Sequence, residues 1–216
     1  MQNNDLISNL LNQISKVTVC RESADGRLNS IKDEETLIDK IKQVAENSGG
    51  EFQVYEPPPR HWYDLKVNDI PIQIKSSSGQ TDNWSSKKAL LWALSDLSMK
   101  EVDATLNRHK AIQEKLGSIS FLKNRDYRDM DILCIDKNTG KVHHKTLCSL
   151  SKLTSNGSNL PFQIPWKANL QSQPVTRNHR EAFAFIVGAY IGSIKKKQAQ
   201  DNLKCLEESV KRTNTN

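Results

Sequence analysis

The sequence predicts an α/β or α+β fold in which a central mixed β-sheet is flanked by helices. Three observations carry this: two amphipathic helical repeats open the chain, two-residue alternation follows within 61–79, and a capping-box pair introduces a long apolar run near the end. Leu6, Ile7, Leu10, Leu11, Ile14 and Val17 recur at three- and four-residue spacing and define the first helix. A polar loop leads to a second helix over about Asp33 to Asn47, with Leu37, Ile38, Ile41, Val44 and Ala45 on one face and Gly49-Gly50 as its stop. Glu51 to Tyr55 alternates as a strand, the three prolines at 57–59 form an extended connector, and Trp62 to Ser76 reads as a hairpin.

Helix is expected from Ser85 to about Leu97, with another through Lys115. Strands follow at Met130 to Asp136 and Val142 to Leu147, joined by a turn at 137–140, with a further strand at Phe162 to Trp166. Asn178 and Glu181 have capping-box spacing, so the closing helix should begin there. The length of 216 residues suits one domain over 1–210, composed of N-terminal helices (1–50), hairpin and core (51–148), and a polar loop with the closing helix (149–210). Residues 211–216 should fray.

Lys and Arg number 31 against 25 Asp and Glu, a net charge of +6 that favours polyanionic partners. The longest nearly apolar run, Phe183 to Gly192, is about half of the roughly 20 residues needed to span a bilayer, so no membrane role is expected. Cys20, Cys134, Cys148 and Cys205 lie far apart, which fits reduced thiols in a cytoplasmic protein rather than a zinc site or disulfide framework.

The hairpin carries the chemistry. With Asn68-Asp69 as a two-residue turn, Val67 pairs with Ile70, Lys66 with Pro71, Leu65 with Ile72 and Asp64 with Gln73. One face then collects Tyr63, Leu65, Val67, Ile70, Ile72 and Ile74; the other collects Asp64, Lys66, Pro71, Gln73 and Lys75. Asp64 and Gln73 become a non-hydrogen-bonded pair with Cα atoms about 4.5 Å apart, and Lys75 points the same way. A carboxylate and an amide oxygen are hard donors suited to Mg2+, and a neighbouring ammonium suits an attacking water and charge growing at phosphorus. For alternation alone, an ordinary half-buried hairpin with a solvated polar face is the commoner explanation.

The segment YDLKVNDIPIQIK resembles the PD-(D/E)xK nuclease motif, an acid followed on the next strand by acid-x-lysine. Asp64 and Lys75 match; Gln73 stands where the second acid is usual, and Tyr63 replaces the usual proline. The order of elements is similar to that of the EcoRV- and HincII-like branch of type II restriction endonucleases across most of the chain, most clearly around the hairpin. The resemblance implies a homodimer that hydrolyses duplex DNA at a short palindrome with Mg2+, paired in its host with a protecting DNA methyltransferase. It also implies an acidic residue from the preceding helix. Glu34 points with Ile38, Ile41 and Ala45 whereas Glu35 is rotated away, so Glu34 is the candidate, its alternative role being a first-turn acid stabilised by the helix dipole.

For DNA contacts, Asn83, Ser85, Lys87 and Lys88 follow the hairpin at a helix N-terminus, where amides and lysines suit phosphate oxygens unless the lysines merely solvate a face. In the loop of 156–177, Asn169, Gln171, Gln173, Thr176 and Arg177 are suited to base edges or phosphates, or else form a surface loop. A structure-selective repair nuclease or junction resolvase, and a catalytically inactive nucleic-acid-binding protein, are the competing functions.

Overall fold

The computed structural model describes residues 10, 14, 26–119 and 128–213. Of the expected first helix only Leu10 and Ile14 are among them; both are helical and buried. The first complete element is helix α1 (Gly26–Asn47), followed by strands β1 (Val54–Tyr55), β2 (Leu65–Val67), β3 (Ile70–Ser77) and β4 (Thr81–Trp84). Helices α2 (Lys87–Leu94), α3 (Met99–Ala104) and α4 (His109–Gly117) come next, then β5 (Asp131–Asp136), β6 (Val142–Thr146), β7 (Phe162–Pro165), α5 (Trp166–Gln171) and α6 (His179–Thr213).

The central sheet has the order β1-β2-β3-β5-β6. All its pairings are antiparallel except β3 with β5, where Gln73 lies beside Ile132 and Lys75 beside Cys134. The sheet is therefore mixed and flanked by helices, an α+β arrangement. Alternation along β3 and β5 sends side chains to two cores. Ile72, Ile74, Leu133 and Ile135 join Leu37 and Ile41 of α1 together with Leu10 and Ile14. On the opposite side Ile132 and Cys134 join the apolar run of α2 and the Ala182, Ile186 and Tyr190 stripe of α6. A sheet covered on both faces in this way needs apolar residues at successive positions, which is why Ile132 to Ile135 are all buried.

Several boundaries depart from expectation. Helix α1 begins at Gly26, seven residues before Asp33, because nothing between Arg27 and Lys32 breaks a helix. The charged segment through Lys115 is two helices, since Ser98 and Glu101 form a reciprocal capping box that starts α3 afresh. Helix α6 continues through Thr213, past the expected end at 210. Its start matches the expectation, with Glu181 N–H donating to Asn178 Oδ1 at 3.0 Å and Asn178 N–H donating to Glu181 Oε2 at 2.9 Å.

Strand β4 and helix α5 are additions. Thr81–Trp84 pairs antiparallel with Phe162–Pro165 in a separate two-stranded ribbon, although its two central residues, Asp82 and Asn83, are poor strand formers. Tertiary packing supplies what propensity lacks: the Trp84 and Phe162 rings stack at 6.3 Å and are buried. Among the described residues, no helix is long and apolar enough to cross a membrane.

The loop before β7 is fastened to α6 by Ser155 Oγ donating to Ala189 O and by Asn156 N–H donating to Ser193 Oγ, both at 2.9 Å. Gly157 lies so close to α6 that a Cβ there would sit 2.8 Å from Lys197 N. Gly157→Ala should therefore destabilise the protein by about 1–3 kcal/mol, measured as a lowered midpoint in urea unfolding.

Candidate active-site cleft

The hairpin has the expected register, Leu65 with Ile72, Lys66 with Pro71 and Val67 with Ile70. Asn68 takes the left-handed conformation at φ 51°, which the tight turn requires and asparagine tolerates. Its Oδ1 also accepts from Gln53 N at 2.9 Å, tying the turn to the approach to β1.

At the open end the pairing changes character. Asp64 N–H donates to Ile72 O at 3.0 Å, and Ile74 N–H donates to the Asp64 carboxylate Oδ2 at 2.6 Å. The side chain of Asp64 thus supplies an acceptor that a backbone carbonyl would otherwise provide, and the expected Asp64–Gln73 pair does not extend the ladder. The irregularity also redirects Tyr63, which packs with Trp62 and Trp92 in the core of α2 and not with Leu65 and Val67. Alternation cannot be carried through a residue that has left the ladder.

Gln73 is buried and donates from Nε2 to Trp62 O at 2.7 Å, and Ser86 Oγ donates to the same carbonyl at 2.7 Å. That shared acceptor draws the start of α2 against β3. A cleft of about 450 Å³ results, lined by Asp64, Gln73 and Lys75 from the hairpin, Ser85, Lys87 and Lys88 from the start of α2, and Arg60 and His61 from the proline connector. Four cationic side chains, Arg60, Lys75, Lys87 and Lys88, line it with one carboxylate, Asp64. This balance favours an anionic ligand.

Glu34 does not line the cleft, but it interacts electrostatically with Lys75 and Asp64, which do. Burial pushes its carboxyl up to about 7, Lys75 opposes the rise, and the charge of Asp64 adds to it. Because α1 starts at Gly26, Glu34 is not in its first turn and the dipole explanation fails. Glu35 is exposed, as its rotation off the apolar face implies.

Asp82 is a residue that sequence reasoning missed. It is half-buried on β4, and its carboxyl is raised above the usual range by burial, against a hydrogen bond from Ser77 and the charges of Lys75 and Lys137. The low strand propensity of Thr81–Trp84 concealed it. Arg60 and a partner for His61 were also unmarked. His61 Nε2 lies 3.4 Å from Asp103 Oδ1, which accepts from Trp62 Nε1 at 2.6 Å. Burial lowers the His61 imidazole pKa, with Asp103 opposing and Lys88 reinforcing the shift. Only the position of His61 next to the hairpin signalled it.

The other proposed contacts divide. Lys88 Nζ donates to Asp103 O at 2.6 Å at the rim, and exposed Asn83 accepts at Oδ1 from Gln163 Nε2 at 2.7 Å. Gln171, Gln173 and Thr176 are exposed but do not line the cleft. Asn169 is buried, its Oδ1 accepting from Ser151 N and Lys152 N and its Nδ2 donating to Lys152 O and Pro165 O. Arg177 donates to Cys148 O at 2.7 Å and Leu150 O at 2.9 Å, and its guanidinium stacks 3.8 Å from the Phe185 ring centroid. Both side chains hold the loop to the body and are not presented to the cleft.

Among the described residues, no three His, Cys, Asp or Glu side chains converge as a metal cluster. The cleft has a single carboxylate, Asp64, with the amides of Gln73 and Asn107 and the hydroxyls of Ser85 and Ser86 as its other side-chain oxygens, a set with little anionic charge that fits an ion retaining most of its waters, as Mg2+ does. No family model matches the chain, and no curated protein matches it.

Two outcomes follow from this geometry. Glu34 binds its proton more tightly folded than unfolded, so its destabilising effect is absent below about pH 4.5, grows through pH 7 and is complete above it. Thermal melts in EDTA should therefore show Glu34→Gln equal to the parent near pH 4 and higher in Tm at pH 8. Asn169→Ala should cost about 2–4 kcal/mol in denaturant unfolding, since it strands several interior backbone groups.

Proposed function

We propose that this protein is a Mg2+-dependent phosphodiester hydrolase acting on duplex DNA, a type II restriction endonuclease of PD-(D/E)xK fold. The observation that carries the reading is the convergence of Asp64, Gln73 and Lys75 in one cleft whose rim is cationic. The antiparallel β1-β2-β3 arrangement followed by parallel β5, with helices on both faces, supports the same fold.

In this reading Asp64 and Gln73 hold the ion, and Glu34 supports its water shell. Asp64 has Oδ1 to offer because Oδ2 is engaged by Ile74 N–H. Gln73 has its carbonyl oxygen to offer because its amino group is engaged by Trp62 O. When bound, Mg2+ supplies positive charge against a phosphate oxygen and lowers the pKa of a coordinated water. Lys75 orients the attacking water and offsets charge as the new P–O bond forms and the opposite one breaks. Arg60, Lys87 and Lys88 bind flanking phosphates and fix the scissile group in the cleft. A homodimer would present two such clefts to the two strands of a palindrome, and a neighbouring methyltransferase gene would protect the host.

The test is digestion of plasmid DNA with and without Mg2+. Discrete fragments are expected only with the ion, and Lys75→Ala should bind duplex DNA yet lose at least about a hundredfold in cutting rate. Undiminished cutting by Lys75→Ala would remove its role. Cleavage confined to branched DNA would indicate a junction resolvase, and binding without hydrolysis in Mg2+ or Mn2+ an inactive binder.

A further inference from the structure

The β4–β7 ribbon stands apart from the central sheet and turns one face outward. Trp84, Phe162 and Ile164 are buried, whereas Thr81 and Asn83 are exposed. Asn83 lies directly opposite Gln163, and their side-chain amides are joined by the 2.7 Å hydrogen bond from Gln163 Nε2 to Asn83 Oδ1. The ribbon is held firmly. Gln163 exchanges two backbone hydrogen bonds of 2.9 Å with Thr154, and the Gly79 carbonyl accepts from Lys167 N at 3.1 Å.

Its position ties it to the cleft. Strand β3 carries Lys75, turns at Gly79 into β4, and the residue after β4, Ser85, lines the cleft. The loop of 169–177 cannot supply the whole of base reading, because Asn169 and Arg177 are consumed inside the protein.

We propose that the Asn83–Gln163 amide pair reads one A·T base pair in the major groove of DNA bound at the cleft. The inference rests on the nuclease reading and deepens it. A two-stranded ribbon fits the major groove. Coupling the two amides leaves one N–H donor group on Asn83 beside one carbonyl acceptor on Gln163. Exchanging the amide assignments still leaves one donor and one acceptor, so the pattern does not depend on which way the amides point. On a single base edge only adenine presents a matching acceptor, N7, beside a donor, N6; guanine sets two acceptors against it.

The test selects binding sites from a randomised duplex pool, using Lys75→Ala so that bound DNA is kept intact. Asn83→Asp in that background retains an acceptor for Gln163 Nε2 and removes the donor, and Gln163→Ala removes the partner. Each should relax preference at one symmetry-related A·T position by roughly ten- to a hundredfold while the remaining positions persist. A consensus unchanged in both variants, with unaltered circular dichroism, would overturn the proposal, as would a consensus without A·T. Should Gln163→Ala fail to fold, Asn83→Asp decides alone. If the parent cuts plasmid DNA at a fixed site that the variants still select, the ribbon assignment fails and the nuclease reading stands. If the parent neither cuts nor its Lys75→Ala variant enriches any sequence, both fail.

Discussion

The carbonyl of Trp62 is the joint around which the cleft is assembled. It accepts from Gln73 of β3 and from Ser86 at the start of α2, so one backbone oxygen holds two elements of different origin at a set separation. The indole of the same residue donates to Asp103 and extends the joint to α3. This arrangement accounts for the amide at position 73. A carboxylate there would have no N–H to donate and would bring a second oxygen against the carbonyl, with a like-charge and desolvation cost at a buried site. Where the hairpin differs from the PD-(D/E)xK motif it resembles, Gln73 makes a hydrogen bond that a carboxylate could not.

Electrostatics around Lys75 point the same way. Glu34 and Asp82 both have carboxyls raised by burial, and in both Lys75 opposes the rise. With Asp64 nearby, one ammonium already answers several acidic groups. A neutral residue at 73 limits the crowding of negative charge where the net cationic rim meets the hairpin. Within the cleft itself positive charge prevails, Arg60, Lys75, Lys87 and Lys88 standing against Asp64, in keeping with the net charge of +6 on the chain.

How much of this was legible depended on whether a feature was periodic. The hairpin register was readable because alternation and a left-handed Asn68 agree, and Glu34 was separated from Glu35 by helical angle alone. Tyr63 escaped because its neighbour leaves the ladder, which resets the face on which it falls. Strand β4 escaped because Thr81 to Trp84 forms a strand only by pairing with a segment some eighty residues away. Asn169 and Arg177 have the side chains of a DNA-reading loop. Whether an amide or guanidinium turns outward or closes a loop on its own body depends on which carbonyls the tertiary fold leaves unsatisfied, and composition holds no record of that.

The carboxylate of Asp64 is a structural acceptor for the Ile74 amide as well as a resident of the cleft. This double use has an evolutionary consequence. If the proposed hydrolysis is the protein's activity, a lineage that ceased to need it could not discard the acid freely, because its removal would also loosen the edge of β3. Asparagine, which keeps an acceptor oxygen, is the least disruptive exit. Descendants that had lost the chemistry would then still carry the hairpin almost unaltered, and an intact hairpin would be a poor guide to which of them still react.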